Sequence, residues 1–484
     1  MKLIRLSCFL LLLPFVTQAQ TKLSSGDNSQ TYTLQECIDY AIQHNISLQQ
    51  SRLTVERSLN TLDQSRANIL PKVNGQYNFN ANFGRNIDPF SNDVVTSTIG
   101  TNQLGVGANM TLYNGFRQQN TIASNQLSLT AAQQDLDALK NSIALQVSLA
   151  YLNVLSAQDR IIVAEKTLES TKLQYDRTER LVKSGSLAET NMFNIEAQIA
   201  NDELQLLNAQ NALESANLTL KQSMNITDYR PIGVSRMNVP SPDLTPYPQN
   251  PEEVYEKAIS YLPEVKAAKT RELIADKGIE IANAVGLPTL NANASWGSAY
   301  STAAKNVTPG QTTYQPLAVS AEFQGETIPF VINFPQQTFD RENIPYFNQI
   351  GKNQNVNLGV SLGIPIFNGY NKKYQTQGAK IQKMQAELTT DNTLLTIRQN
   401  IDQAYINMTN AGKSYSASTV QVNALQRALE AATASYNAGA SNFTDYNVAK
   451  ANLDRAQASQ IQAKYEYLFR IKVLDFYQNK PLGF

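Results

Sequence analysis

The chain is written twice, and that duplication constrains its fold more than any other feature. "MTLYNGFRQQN" (110–120) and "IPIFNGYNKKY" (364–374) place Asn-Gly between aromatics 254 residues apart, 368 − 114. Tyr151 and Tyr405 differ by the same 254, as do Gly185 and Gly439. Upstream the offset is 217: Ala41 matches Ala258, and Leu70-Pro71 matches Leu287-Pro288. The difference, 254 − 217 = 37 residues, lies between Pro288 and Asn368 and localises to a loop of about 300–354, rich in Gln, Thr, Asn and Pro. The copies are joined by Asn225–Pro251, whose six prolines exclude regular helix. The expected organisation is a first repeat over 20–224, a Pro-rich linker over 225–250 and a second repeat over 251–484.

Each copy contains two segments of strict alternation. Val73, Gly75, Tyr77, Phe79, Ala81 and Phe83 alternate with Asn74, Gln76, Asn78, Asn80 and Asn82. Leu104, Val106, Ala108, Met110 and Leu112 form a second such row. The second copy repeats this with Leu290, Ala292, Ala294 and Trp296, then with Val356 through Ile366. A period of two means strand, with one apolar and one polar face.

The Asn-Gly marks are strand-to-helix corners. Asn114 and Asn368 stand where a helix N-cap belongs, and Gly115 and Gly369 permit a sharp change of direction. Phe116–Ser184 then lacks proline and glycine, and its counterpart Tyr370–Ala438 has only Gly378 and Gly412. At ~1.5 Å per residue each spans on the order of 100 Å. Apolar residues recur at sevens: Ile161, Leu168, Tyr175 and Val182, matched by Tyr415, Val422, Leu429 and Tyr436. The returning segments keep such a register through Met192 to Leu220 and Tyr446 to Leu474, which argues for coiled-coil packing. Gly185 and Gly439 mark the hairpin tips.

Composition excludes several classes. Forty basic residues balance forty acidic ones, so the electrostatic footprint of a nucleic-acid binder is missing. A single histidine excludes HExxH, no P-loop or GxSxG element occurs, and no enzyme, metal or cofactor is expected. Lys2 and Arg5 precede an apolar run to Val16, with small residues at Thr17 and Ala19, which reads as a secretory signal over 1–19. Cys8 lies inside it with flanks that fit a lipid-attachment box poorly, so no lipid anchor is expected. Removal of that signal leaves Cys37 alone, and hence no internal disulfide. No remaining stretch reaches the length of a spanning helix, but barrel strands escape such a scan.

Four strands cannot close a barrel, and an open edge in lipid leaves backbone groups unpaired at several kcal/mol each. Apolar faces turned to lipid and polar faces turned to a lumen therefore require strands from other copies. At this point the chain resembles the TolC-type family of outer-membrane efflux ducts. The likeness rests on "TLQECIDYAIQHN", the two Leu-Pro pairs, "LYNGF" and "IFNGY", and "YNAGASNFTDYNVAKANL", and it covers nearly the whole chain in order. It implies a mainly α fold of internally duplicated helical hairpins forming an α-barrel tunnel, with four strands per chain entering a trimeric twelve-stranded transmembrane β-barrel. It also implies a homotrimer in outer-membrane lipid with its helices in the periplasm. The implied partners are a periplasmic membrane-fusion adaptor and an inner-membrane transporter of RND, ABC or MFS type.

Carried over by position, the family's periplasmic aperture falls on Tyr436 and Asp445, with Val448, Ser441 and Asn191 standing where further charged or acidic lock residues would be. The tips Gly185, Leu187, Gly439 and Ala440 become the adaptor-docking positions. Each has a plainer reading: Tyr436 as heptad packing, Asp445 as a solvated helix residue, the glycines as turn geometry. The expected function is a passive exit duct of a tripartite efflux or type I secretion system. A periplasmic coiled-coil scaffold and a general porin are the alternatives. The scaffold leaves the lipid-suited strands unexplained, and the porin the long helices. The 37-residue insertion is expected at the extracellular mouth, as tolerated drift with some capping role.

Overall fold

The computed structural model describes residues 31–87, 92, 94–96, 98–227, 232–235, 242 and 247–480. The signal sequence expected over 1–19 lies outside the described residues, as does part of the linker. Elements of the first half are β1 (Thr31–Tyr32), α1 (Leu34–His44), α2 (Ile46–Ala67), β2 (Lys72–Asn82), β3 (Arg85–Ile87), β4 (Val94–Thr96), β5 (Ile99–Tyr113), α3 (Arg117–Lys183) and α4 (Thr190–Met224). The linker contributes β6 (Gly233–Val234), paired parallel with β1. The second half has α5 (Pro251–Tyr261), α6 (Pro263–Ala284), β7 (Thr289–Ser301), β8 (Lys305–Phe323), β9 (Glu326–Asn343), α7 (Tyr346–Lys352), β10 (Asn355–Gly363), α8 (Asn371–Asn437) and α9 (Phe443–Phe476).

The helix starts follow local chemistry. Thr33 caps α1 with a reciprocal capping box to Glu36. Asn250 caps α5, whose first position is Pro251, by accepting the Glu253 N–H. Both long helices run 67 residues, about 100 Å at ~1.5 Å per residue. Their returning partners α4 and α9 are half as long, at 35 and 34 residues. The 22-residue helices α2 and α6 complete the remaining length, packing against α3 and, for α6, α8 as well. Among the described residues no helix is long and apolar enough to cross a membrane.

The four alternating segments form one antiparallel sheet in the order β10-β7-β5-β2. Its register keeps the faces in phase. Val73, Ala108, Ala294 and Leu358 line up across all four strands on one face, and Asn74, Gly107, Ser295 and Asn357 on the other. A one-residue slip would mix these faces, so the alternation itself pins the pairing. β10 stops at Gly363, so Ile364 and Ile366, read above as strand, lie in the irregular turn toward α8.

The principal core surrounds Tyr151 of α3, which is wholly buried among Cys37, Ala41, Val147, Leu220 and Met224. Its hydroxyl donates to the Ser235 carbonyl at 2.9 Å, tying the linker to the helices. Burial pushes the Cys37 thiol up to about 12, so this cysteine packs as an inert apolar group. His44 stacks on Tyr40 and bonds its carbonyl, a structural role as well.

The corners depart from expectation in one detail. The N-caps are Phe116 and Tyr370, both left-handed at φ 62° and 61°, directly after left-handed Gly115 and Gly369. Asn114 still supports the first turn, its Oδ1 accepting the Gln118 N–H at 3.2 Å. Two consecutive left-handed residues reverse the chain more sharply than a cap alone, and each aromatic ring sits edge-on to the one before the Asn-Gly, Tyr113 and Phe367.

A Cβ on Gly115 would stand 2.7 Å from Leu287 Cβ, so the Leu-Pro of the second copy closes over the corner of the first. Gly115→Ala is expected to cost roughly 2–4 kcal/mol, from left-handed strain plus overpacking. Denaturant unfolding of the detergent-solubilised protein checks this, with Gly278→Ala, inside α6 where nothing stands within 4 Å, as a control expected to be neutral or slightly stabilising.

Candidate functional site

Both helical hairpins end in the same motif. At the first tip Ser186 N–H bonds the Leu181 carbonyl at 2.9 Å and Gly185 N–H the Val182 carbonyl at 2.9 Å. At the second, Ala440 N–H bonds the Ser435 carbonyl at 2.9 Å and Gly439 N–H the Tyr436 carbonyl at 3.1 Å. The glycines adopt φ 75° and 68°, which side chains resist, and this explains why glycine recurs at both tips. Gly185, Gly439 and Ala440 are exposed and Leu187 is half-buried.

The two tips are held together by one apolar cluster. Ile195 of α4, Tyr436 of α8, and Phe443 and Tyr446 of α9 are all buried in it, with Tyr175, Ile199 and Leu429 packed alongside. Tyr436 lies 6.0 Å from the Phe443 ring and 5.7 Å from that of Tyr446. Burial raises the Tyr436 hydroxyl above its ordinary pKa, so it stays neutral. Tyr436 thus joins the packing seam. Asp445 is exposed in the first turn of α9, where its carboxylate favours the positive end of the helix and its N–H is capped by Asn442 at 2.9 Å. Asn191 caps locally, donating from its side chain to the Ala188 carbonyl at 3.1 Å. The Ser441 hydroxyl is shielded from solvent and has no hydrogen-bond partner among the described residues. The structure therefore brings Tyr436 into the inter-hairpin contact and leaves Asp445 and Asn191 in local interactions.

The most deeply buried ion pair among the described residues lies between the hairpins, farther along the helices, at residues that the motifs above do not include. Lys450 of α9 and Asp202 of α4 form an ion pair at 2.8 Å, with side chains 4% and 0% exposed. Asp202 also accepts from Thr171 of α3 at 2.5 Å and from Gln198 at 2.7 Å, so both oxygens are occupied. Asp454, one turn beyond Lys450, stands 3.4 Å from its ammonium and accepts from Thr167 at 3.2 Å. Farther along, Tyr465 donates to Asp159 at 2.8 Å and Arg160 to Gln462 at 2.9 Å. The signal available beforehand was a lone charge inside each apolar stripe: Lys450 between Tyr446 and Leu453, Asp202 after Ile195 and Ile199. The seam through Ile161, Leu168, Tyr175 and Val182 is only half-buried, and along that stretch of α3 the buried positions are Thr171 and Thr178.

No group of residues able to hold a metal ion occurs among the described residues. The barrel-side surface carries the other functional feature. Tyr77, Phe79, Val356, Leu358, Val360 and Leu362 are all more than 60% exposed on the apolar face of the two edge strands, which suits lipid and not water.

Removing one partner of a buried ion pair strands the other. Lys450→Met is expected to destabilise by about 3–5 kcal/mol and Asp202→Asn comparably, read as a shift in the denaturant midpoint. Burial of Asp454 outweighs the attraction of Lys450 and raises its carboxyl pKa from 3.8. Its folded form therefore binds a proton that the unfolded chain has released. The resulting stabilisation is fully present below the unfolded pKa and is lost as pH rises through the raised folded value. Stability measured against pH should show that component in the native protein and lack it in Asp454→Asn.

Comparison with known proteins agrees with this geometry. The chain matches the family described as outer membrane efflux protein over residues 37–225 and 254–474, one segment per copy. It is 21% identical over 443 residues to outer membrane efflux protein BepC of Brucella suis, covering 91% of this chain and 84% of that one. It is 24% identical over 390 residues to outer membrane protein TolC of Escherichia coli, covering 76% and 72%. Among solved structures, a membrane protein of Pseudomonas aeruginosa superposes with TM-score 0.70 at 18% identity, covering 92% and 90% of the two chains. The Campylobacter jejuni CmeC outer membrane channel gives 0.68 at 18%, covering 93% and 87%. Two matched copies spanning most of the chain, on a fold of long helical hairpins below a four-stranded sheet, establish that this protein belongs to the outer membrane efflux protein family.

Proposed function

We propose that three copies of this chain assemble into one continuous duct and that it conducts passively, driven by partners. The protein is an outer-membrane efflux protein. The observation that carries the reading is the open sheet: among the described residues β2 and β10 are edges with no partner strand, and both present apolar faces. In lipid those edges must pair, and the internal duplication supplies the partner. β10 repeats β5 at +254, and β2 repeats β7 at −217. The β5–β7 pairing Val106↔Trp296 therefore maps onto Val360 of one protomer against Phe79 of the next. That register again sets apolar against apolar. It also brings the next protomer's Leu70 over Gly369, where the chain itself leaves open space, as Leu287 stands over Gly115.

On this reading the helices form a periplasmic tunnel and the tips around Gly185, Leu187, Gly439 and Ala440 meet a periplasmic adaptor, through which an inner-membrane transporter delivers cargo. The exposed Asp445 of each copy stands near the periplasmic mouth and favours cations there. Tyr436 and the buried Lys450–Asp202 pair hold the hairpins against one another, taking over from charges absent at Asn191, Ser441 and Val448. The described helices and strands of the first repeat (20–224) and the second (251–484) supply quasi-equivalent walls of this tube, and the segment over 225–250 links the two.

The test is a double-cysteine variant, Val360→Cys with Phe79→Cys. Oxidation should close a covalent ring that runs as a trimer in denaturing gels, and the offset pair Val360→Cys with Asn80→Cys should not. Absence of linked trimers would defeat the register and the shared barrel. A strain lacking the protein should be more sensitive to toxic small molecules if the cargo is of that kind, whereas loss of a porin would protect.

A further inference from the structure

The 37-residue insertion is not an irregular loop. It is built as a two-stranded ribbon, β8 of 19 residues against β9 of 18, followed by the short helix α7. At ~3.3 Å per residue the ribbon is about 60 Å long. It springs from the end of the sheet away from the helices, and among the described residues each of its strands packs mainly against the other. Its root is fixed. Gln349 of α7 accepts from the Ser301 N–H at 2.9 Å and donates to the Ser301 carbonyl at 3.0 Å. Asn353 donates to the Ala299 carbonyl at 2.8 Å and Ser298 to the Ile350 carbonyl at 2.7 Å.

The distal half of the ribbon has an apolar face. The cross-strand pairs Leu317↔Ile332, Val319↔Phe330 and Ala321↔Ile328 share one side, and Leu317, Ile328 and Phe330 remain 51%, 51% and 43% exposed. A lone two-stranded hairpin is marginal in water, so this face calls for a cover. The edges do not invite a further strand. Pro316, Pro329 and Pro335 all fall in alternate pairs of the ladder on the opposite side. Continuous pairing through them turns the position of the missing N–H outward, which blunts both edges. The cover is therefore laid on the face. A membrane of anionic headgroups would be met by Lys or Arg, but residues 312–337 contain neither and carry Glu322 and Glu326.

We propose that the apolar faces of these ribbons cover one another, so that three copies pack face to face above the external mouth of one duct. This rests on the trimeric reading above. Threefold assembly sets three identical ribbons on rigid roots around a single opening, and a face with no charge among its six central residues is complementary to itself. The ribbon then acts as an intersubunit clasp at the outer end.

The test uses the full-length protein extracted from membranes in mild detergent, with Cys37 wholly buried as a silent background. Ile332→Cys lies on the apolar face and Val331→Cys on the opposite one. A short bis-maleimide should link protomers through Ile332→Cys at a several-fold higher yield than through Val331→Cys. Equal or absent linking at both positions, in a particle whose mass is that of a trimer, overturns the clasp and leaves the duct reading intact. Protection of Ile332→Cys from maleimide in whole cells without linking overturns it too, since another molecule would then cover the face. A particle that is not trimeric takes both readings down.

Discussion

Backbone hydrogen bonding in a medium without water is the constraint on which the rest of this structure depends. Every N–H and C=O at membrane depth must be paired inside protein, and the sheet that faces lipid has four strands per chain, with two edges open among the described residues. A closed wall therefore belongs to the assembly and not to the chain. The duplication makes closure cheap to encode, because the contact between copies within a chain is already the template for the contact between chains. The corner is the clearest case: Leu287 covers Gly115 within the chain, while nothing stands within 4 Å of the equivalent position at Gly369, which the proposed assembly would fill with a leucine of the next copy.

Below the sheet the problem is different. Two hairpins about 100 Å long expose far more surface than one helix–helix seam can bury, and their cores are thin. The apolar cluster at the tips and the Lys450–Asp202 pair divide the task. Aromatic packing excludes water, and the ion pair, whose carboxylate accepts on both oxygens, favours one match of turns between the hairpins. Apolar heptads alone tolerate a slip of one repeat, whereas a buried charge misplaced by one turn would be stranded. A register role of this kind is the best-attested use of buried ions, which otherwise add little net stability.

Much of this was legible beforehand, for a physical reason. Alternation in Val73–Phe83 and sevens in Tyr446–Leu474 are properties of single elements, set by the repeat of strand and helix. Tyr446, Leu453, Tyr467 and Leu474 are buried as their spacing requires. The Asn-Gly pairs stand at the strand-to-helix corners, but the caps are the aromatics that follow, Phe116 and Tyr370, because an Asn-Gly pair suits both an N-cap and a left-handed turn and only the backbone distinguishes them. The insertion was harder. Its Pro, Gln and Thr content resembles an irregular loop until the cross-strand pairing gathers Leu317, Val319, Ile328, Phe330 and Ile332 on one side and sets Pro316, Pro329 and Pro335 on the other.

The sequence by itself determined the duplicated plan, the four two-faced strands, the long hairpins, their glycine tips, and the need for other copies. All of these follow from periodicities and offsets measured along the chain. The tertiary structure alone decided that Lys450 meets Asp202 across 248 positions, that Tyr436 packs between the hairpins while Asp445 stays in water, and that the insertion stands up as a ribbon. Those outcomes depend on how one helix or strand is rotated against another. That rotation is set by the summed fit of many side chains, and no window along the chain contains both partners.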